Sequence, residues 1–392
     1  MNKIIRIALV MQGGSNWMGG VEYIKSIIFA LMSLPLEDRE KFQLYLICSK
    51  SLDSSLYEQI RPFLKEILYM EDIFDPFNIL RGLGWQIFRE VFFLAKQIDF
   101  VYPSLNKHIP FFPCTNSASW IPDFQHKYLP SFFQEKVILN RDRHFKKISR
   151  TEKLIVLSSK SAQADFQNFF PHSRAKTKVL SFKTSPRAEW FLNDPKEIQE
   201  YYCLPDKFFI ICNQFWQHKN HLLVFDALKI LQDKGIFPTI VCTGSIHDDR
   251  NPNYTSTVLQ RICKLNLNNQ VHLLGLVPRL HQMQLIRRSI AVLQPSLFEG
   301  WSSIVEDARC LGKPLIISDI LVHIEQNPPD AYFFDPSSAE NLATHIQDTW
   351  DMLLPGPDLE KEACAREKNK VEIELFGFRF LEIIKSSLSK SR

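Results

Sequence analysis

Hydrophobic and polar positions along the chain switch between short continuous apolar runs and a helical spacing. Apart from Arg6, residues 4–11 (IIRIALVM) are apolar, and they are rich in β-branched side chains, with Gly13 and Gly14 shortly after them. This pattern favours a strand buried on both faces. Apolar residues then recur at helical spacing from Val21 to Leu31, and Pro35 follows the end of that segment. The first forty residues therefore predict a strand, a glycine-containing loop and an amphipathic helix.

The same alternation continues to the C-terminal region. Further predicted strands lie at residues 42–49, 99–104, 115–124, 152–159, 177–182, 207–215, 237–244, 270–277, 289–296 and 313–319. Residues 221–235 and 374–388 predict amphipathic helices. Strands that alternate with helices are typical of parallel, doubly wound sheets. The pattern restarts after a polar stretch containing Pro186 and Pro195, so we expect two Rossmann-like domains with a ligand cleft at their strand ends.

Composition narrows the class of protein. The chain has 392 residues, which is long enough for two domains. A net charge of +4 does not indicate a nucleic-acid partner. The eight cysteines are scattered without CxxC spacing, which indicates reduced side chains of a cytoplasmic protein. We also expect neither a signal peptide nor a transmembrane helix, because no apolar run is long enough.

Three acids surround a predicted helix start within residues 295–314. Ser303 and Glu306 have the spacing of a capping box, which predicts a structural role for Glu306. Asp307 lies further round the helix and cannot share that role. Glu299 precedes the helix and has no structural explanation. Backbone amides at such a helix start could bind a phosphate.

The segment PSLFEGWSSIVEDARCLGKPLIISD closely resembles the donor-site signature of family 4 glycosyltransferases, which have the GT-B fold. That signature has two acids separated by seven residues, followed by Gly-x-Pro. Here the acids are Glu299 and Asp307, with Asp in place of the usual Glu. The resemblance implies that Glu299 is a catalytic residue that contacts the transferred sugar, and that Asp307 binds the nucleotide ribose. It also implies that the donor diphosphate faces the helix start, formed by Gly300, Trp301, Ser302, Ser303 and Ile304.

A second match covers residues 213–231 (NQFWQHKNHLLVFDALKIL). It resembles the strand, loop and helix that present a basic residue to the diphosphate, and Lys219 occupies that position. A cation there would also stabilise the departing nucleotide diphosphate. Many members carry an arginine about five residues earlier, where this chain has Asn213 and Gln214. The resemblance therefore assigns donor binding to Asn213 and both binding and catalysis to Lys219.

Two segments of the N-terminal half resemble the family less closely. In the loop QGGSNWMGGVEYI, Gly19 and Gly20 open a helix and correspond to the family loop nearest the donor diphosphate and the acceptor. A tight turn alone is the alternative. In SASWIPDFQHKYLPSFF, His126 follows Asp123 after a predicted strand. The resemblance implies that His126 faces the reaction centre as a catalytic residue, although a lone histidine is more often structural.

The resemblance implies a GT-B protein with two Rossmann-like domains facing an interdomain cleft. Residues 1–190 would form the acceptor domain, residues 191–370 the donor domain, and residues 371–392 a helix that crosses back. The expected reaction is retaining transfer of a hexosyl unit, from a UDP- or GDP-linked sugar to an acceptor hydroxyl, in polysaccharide or glycoconjugate biosynthesis. No metal or other cofactor is expected. Base contacts would come from loops near residues 243–249 and 275–279.

Other interpretations remain open. A non-catalytic sugar-nucleotide-binding homologue and a sugar-nucleotide epimerase of similar fold would share these motifs. A nicotinamide dehydrogenase is disfavoured, because no GxGxxG fingerprint is present. The acceptor could be a glycan, a lipid-linked sugar or a small molecule. The basic run at residues 140–153 is either a solvated helix face or a contact for an anionic acceptor or an acidic membrane surface. A cytoplasmic location with peripheral contact at the inner membrane face therefore stays open.

Overall fold

A computed structural model describes residues 4–14, 17–71, 98–105, 116–248 and 250–388. Cys114, expected as a reduced core residue, lies outside these ranges. Contacts divide the chain into a first unit, residues 1–122, 143–185 and 371–392, and a second unit, residues 123–142 and 186–370. Residues 123–142 thus group with the second unit, although the sequence placed them in the N-terminal domain.

Helices and strands alternate along the described residues. The strands are β1 Ile5–Val10, β2 Phe42–Cys48, β3 Glu66–Tyr69, β4 Phe100–Tyr102, β5 Asn116–Ser117, β6 Ser119–Ile121, β7 Leu154–Leu157, β8 Lys176–Val179, β9 Phe209–Cys212, β10 Ile240–Thr243, β11 Val271–Gly275, β12 Val292–Gln294, β13 Leu315–Ser318 and β14 Ala331–Phe334. The helices are α1 Met18–Met32, α2 Leu36–Arg39, α3 Gln125–Tyr128, α4 Glu135–Thr151, α5 Lys160–Phe169, α6 Pro195–Tyr201, α7 His221–Asp233, α8 Tyr254–Lys264, α9 Arg279–Arg288, α10 Ser303–Cys310, α11 Leu321–Gln326, α12 Ala339–Met352 and α13 Leu359–Leu388.

The first unit contains parallel strands in the orders β3-β2-β1-β4-β5 and β6-β7-β8. Strand β1 pairs in parallel with both β2 and β4 and is buried from Ile7 onward, as its apolar sequence predicts. The C-terminal half of α13 packs closely against α1. A Cβ atom added to Gly377 would lie 2.6 Å from the carbonyl oxygen of Ala30, so a larger residue would separate these helices.

The second unit contains a parallel sheet in the order β11-β10-β9-β12-β13-β14. This is the doubly wound order in which the chain turns back between the first and fourth strands of the fold. Strands β9 and β12 are neighbours at that reversal, so the loops that follow them start side by side. Ligands of open α/β sheets bind at this position. The sheet confirms the α/β class with parallel strands expected from the sequence.

In the second unit, apolar side chains form a core on each face of the sheet. One core cluster packs α7, α8 and α12 against the sheet, and a second one packs α9 and α10 against it. Seven cysteines lie within the described residues, and all are free. No described helix is long and apolar enough to cross a membrane.

Candidate functional site

The loops after β9 and β12 bring together Lys219 and Glu299, two residues that the sequence assigned to the donor site. A single 3₁₀ turn, Gln217–Lys219, follows β9, and Asn220 then adopts a left-handed conformation before α7 begins. The Leu297 N–H donates to the His218 carbonyl oxygen at 2.8 Å, which ties the two loops together. Lys219 Nζ donates to Glu299 Oε1 at 2.5 Å. Both side chains remain partly accessible, at 14% and 10%.

One carboxylate oxygen of Glu299 receives three hydrogen bonds. Besides Lys219, Oε1 accepts from Gln294 Nε2 at 2.9 Å and from Ser296 Oγ at 2.7 Å. Within the described parts of the chain, Oε2 accepts none. The three donors fix the orientation of the carboxylate, so its second oxygen is held ready for a hydroxyl group of a ligand.

Gln294, the last residue of β12, organises this cluster from a fully buried position. Its Oε1 accepts from Asn213 Nδ2 at 2.8 Å, and its Nε2 also lies 3.1 Å from Ser302 Oγ. Gln294 therefore connects Asn213, Glu299 and the start of α10. Asn213, predicted to bind the donor, is 6% exposed and has this partner in the structure.

Helix α10 begins differently from the prediction. Ser302, not Ser303, is the N-cap, and it makes no side-chain capping bond. Glu306 is fully buried, and its Oε1 accepts from Gln326 Nε2 at 3.1 Å. Gln326 also accepts from the Ser302 N–H at 3.1 Å and donates to the Ser302 carbonyl oxygen. The capping box was therefore wrong, because a glutamine from α11 satisfies the groups that Glu306 was expected to serve.

The acid at position 307 has a guanidinium partner. Arg279, the first residue of α9, donates from Nη1 and Nη2 to the two oxygens of Asp307 at 2.7 and 2.5 Å. Asp307 is 1% exposed, whereas Arg279 is partly exposed and lies over the Trp190 ring at 5.4 Å. A two-pronged bond of this kind fixes the plane of the carboxylate. The predicted ribose-binding acid is thus held rigidly beside an arginine.

Three buried histidines surround the Lys219 loop. Burial, with a smaller effect of the Lys219 charge, lowers the pKa of His221 to about 3. Burial lowers the pKa of His323 to about 4 against the raising effect of Glu299, and it holds the pKa of His218 well below its ordinary value. All three imidazoles are therefore neutral near pH 7, and the positive charge of the loop is carried by Lys219.

Other predicted residues lie elsewhere. His126 is in α3, within the second unit, and is 1% exposed with its Nε2 atom 2.9 Å from Asp142 Oδ1. Burial lowers its pKa, ahead of the effect of Arg141. Its catalytic role stays a prediction. Gly19 and Gly20 lie in the first turn of α1, in the first unit. A Cβ atom on Gly20 would lie 3.0 Å from the Gln12 carbonyl group, so this glycine permits a close backbone approach.

Three polar residues that orient the cluster were not predicted from the sequence: Gln294, Ser296 and Gln326. Arg279 was predicted only as part of a base-contact loop, residues 275–279, and not as the partner of Asp307. Gln294 and Ser296 could have been found, because they end a strand beside the acid motif. Arg279 and Gln326 act from other elements, and only the fold brings them close. No group of three or more metal-ligating side chains is present in the described ranges.

Comparison with known proteins finds a family match that covers both loops. Residues 196–352, which include both loops, match the family model of glycosyl transferases group 1. This part of the chain is similar to a glycosyl transferases group 1 domain. The match confirms the resemblance expected from residues 295–319. No curated protein sequence is significantly similar to the chain.

Solved structures extend the likeness to the whole chain. A glycosyltransferase from Rickettsia africae is 18% identical over 100% of both chains, with a TM-score of 0.68. HepE from Anabaena, solved in complex with UDP and glucose, is 17% identical over 97% of this chain and 100% of its own, with a TM-score of 0.66. Sucrose-phosphate synthase from Thermosynechococcus elongatus is 14% identical over 97% of both chains, with a TM-score of 0.62. At these identities the likeness confirms the fold, which is GT-B.

Proposed function

We propose that the protein is a retaining glycosyltransferase that moves a hexosyl unit from a nucleotide-diphosphate sugar to an acceptor hydroxyl. The observation that carries this proposal is the Lys219–Glu299 pair at the strand reversal of a region similar to a glycosyl transferases group 1 domain. It combines a cation for a diphosphate with a carboxylate for sugar hydroxyls. UDP is favoured over GDP as the donor nucleotide, because HepE was solved with UDP and UDP-glucose.

The contacts of Lys219 support a role at the diphosphate. An ammonium group has three N–H donors, and one of them is used on Glu299. The others remain for phosphate oxygens without breaking the ion pair. The amides at the start of α10 supply further donors, because the first amides of a helix have no partner within the helix. Together they would stabilise the departing diphosphate, so the proposed reaction needs no metal ion.

The two acids would act on hydroxyl groups. Glu299 Oε2 would accept from a hydroxyl of the transferred sugar while three donors hold Oε1 in place. Asp307 would accept from the ribose, with its plane fixed by Arg279. In the retaining reaction proposed from family resemblance, the acceptor hydroxyl attacks from the face that the diphosphate leaves. Rate enhancement would come from positioning and from electrostatic stabilisation of the leaving group.

A donor panel tests this proposal. Thermal melting with UDP, GDP, ADP and their sugars should show stabilisation by one nucleotide class, since a ligand at 100 times its dissociation constant adds about 2.7 kcal/mol. Turnover with that sugar nucleotide and acceptor glycosides should give a product with the anomeric configuration of the donor. Inverted product would contradict retention. An altered sugar without acceptor would identify an epimerase, and binding without turnover a non-catalytic homologue.

A further inference from the structure

The second unit contains a cavity of about 230 Å³ beside the Lys219 loop. Its described lining comes from residues 131–134, from the turn at Gln217 and His218, and from Asp248, Arg250 and Asn251. Of the described lining residues, only Asp248 lies in a segment assigned above to the nucleotide, residues 243–249, and its Oδ1 atom is bonded to Arg250. None is assigned to the diphosphate, the ribose or the transferred sugar, so the cavity offers space for a different ligand.

Arg250 is held rigidly in the wall of this cavity. Its Nε atom and its backbone N–H both donate to Asp248 Oδ1, at 3.3 and 2.9 Å. Its guanidinium group lies 4.4 Å from the centre of the Trp216 ring and 5.4 Å from that of Phe133. Asp248 is 2% exposed, so the arginine balances a buried charge. The pair contributes no net charge to the wall.

His218 is also uncharged. It is 4% exposed, and burial keeps its pKa well below the ordinary value, helped by Lys219 and Arg250. Arg250 Nη2 lies 3.5 Å from His218 Nδ1. A described lining without net charge disfavours phosphate or carboxylate ligands, because these ligands bind best to an unbalanced cation. This separates the cavity from the neighbouring Lys219 site.

The remaining lining fits a ligand with several hydroxyl groups. Ser131, Gln134, Gln217 and Asn251 carry hydroxyl and amide groups, which can donate and accept. Asn251 Nδ2 donates to Gln217 Oε1 at 3.3 Å, which leaves Asn251 Oδ1 and Gln217 Nε2 for a ligand. Phe132 and Phe133 add aromatic surface against which the C–H face of a sugar ring can pack. The volume is below the roughly 300–1,000 Å³ of pockets for drug-sized ligands. It suits one ring and not a dinucleotide or a long chain.

Backbone segments connect the cavity to Lys219 and Glu299. His218 in its wall precedes Lys219, and the His218 carbonyl oxygen is bonded to Leu297, two residues before Glu299. Phe298, the residue before Glu299, stacks on Tyr128, three residues before Ser131 of the lining, with 5.5 Å between ring centres. Both residues of the Lys219–Glu299 pair therefore lie one or two positions from cavity contacts.

We infer that this cavity binds an uncharged sugar ring of the acceptor, next to the donor site. The inference rests on the proposed glycosyl transfer for the identity of its ligand as an acceptor. The cavity selects a neutral pyranose through Gln134 and Asn251 and keeps its ring against the phenylalanines. Acceptors with a carboxylate or phosphate on that ring are disfavoured.

Direct binding tests the assignment without requiring turnover. Methyl α-glucoside, methyl α-galactoside, methyl α-mannoside and methyl β-glucuronide are titrated against the full chain by saturation-transfer NMR, with and without UDP, GDP or ADP. At least one neutral glycoside should bind, the glucuronide should bind more weakly, and nucleotide should not displace the glycoside. Ser131→Leu, which fills the cavity, should abolish the signal. Asn251→Ala should weaken binding by about fivefold, as expected for one lost hydrogen bond.

Ser54→Leu, at an exposed serine of the first unit, is the matched control and should bind the glycoside like the wild type. Absence of binding by all neutral glycosides would overturn the inference. Preference for the glucuronide, or displacement by a nucleotide, would overturn it as well, since the latter would make the cavity part of the nucleotide site. Absence of nucleotide binding to the wild type would instead contradict the proposed function, while glycoside binding that Ser131→Leu abolishes would still support the cavity assignment.

Discussion

Arg279 binds both oxygens of Asp307 with its two terminal nitrogens, at 2.7 and 2.5 Å, across the start of two helices. The pair joins the loop after β11 to the acid motif after β12. If Asp307 holds the ribose, its plane must stay fixed, and the planar fork of a guanidinium group matches both carboxylate oxygens in one plane. Arg279 is then a positioning residue for nucleotide binding.

Arg279→Lys should therefore weaken nucleotide binding by about tenfold, because an ammonium group replaces the two-pronged contact by a point charge. Isothermal titration with the nucleotide found in the donor panel measures this. Arg261→Lys is a matched control, since Arg261 on α8 also pairs with an aspartate, Asp226 on α7. That control should bind nucleotide like the wild type. Equal affinities in both variants would remove Arg279 from the nucleotide site.

A second prediction concerns Lys219 and Glu299, whose substitutions should have different effects. Lys219→Met should weaken nucleotide binding by about tenfold or more, since a cation beside the diphosphate is lost. Glu299→Gln should leave nucleotide binding within about threefold, because the amide oxygen can still accept from the donors around Oε1. It should nevertheless lower the transfer rate by about 100-fold, since Oε2 is replaced by an N–H donor.

Titration of the nucleotide and steady-state transfer rates separate the two effects. Lys229→Met is the control for Lys219→Met, because Lys229 lies on α7 and bonds to Asp233. It should change neither quantity. Full transfer activity in Glu299→Gln would show that the sugar does not depend on this carboxylate.

Gln294 makes a third prediction, for a residue that would not touch the substrate. Gln294→Leu removes the donors to Glu299 and Ser302 and the acceptor for Asn213. The kcat of transfer should fall by about tenfold or more, with little change in nucleotide affinity, because Glu299 loses its fixed orientation. Gln284→Leu is a matched control, since Gln284 is also fully buried but bonds to the Trp190 carbonyl oxygen.

Both leucine variants should lower the free energy of unfolding, since each leaves buried partners unpaired, by about 1–3 kcal/mol. Only Gln294→Leu should lower kcat at a temperature where both are folded. A similar kcat in the two variants would reduce Gln294 to a purely structural residue.

Much of this fold can be predicted from the sequence, because the strands of a buried parallel sheet are recognised from their own apolar runs, without knowledge of which strands they pair with. Strand β1 illustrates this, with its continuous run ending at a glycine. Strands β3 and β14 were missed. The first has exposed and half-buried positions, and the second contributes only one buried residue, so neither shows the pattern of a central strand. The polar first half of α13 hid its full extent in the same way.

Side-chain partners were harder to predict than side-chain identities. The acids and Lys219 were found from spacing, but spacing cannot show that Gln326, one helix later, takes over the capping of α10. The same holds for Arg279 and Asp307, which are brought together by the order of β11 and β12. Contacts between distant elements depend on the sheet order, which local patterns do not contain.

The buried histidines make the last prediction, on the pH dependence of stability. His221 is fully buried and stacks on Phe215 at 4.1 Å, and neither ring nitrogen has a partner among the described residues. Its pKa of about 3 lies below the unfolded value of about 6.5. The unfolded chain therefore binds the proton first, so stability is full above about pH 6.5 and is lost as the pH falls toward 3. His323, with a pKa of about 4, acts in the same direction.

Protonation of the unfolded chain at His221 and at His323 should each lower the free energy of unfolding by about 2 kcal/mol between pH 7 and pH 5. His221→Leu should remove one such contribution while leaving stability at pH 7 near or above that of the wild type, because it deletes an unpaired buried polar group. Urea unfolding at a series of pH values measures the slope for both proteins. An identical slope would contradict the burial of His221 as the cause of its low pKa.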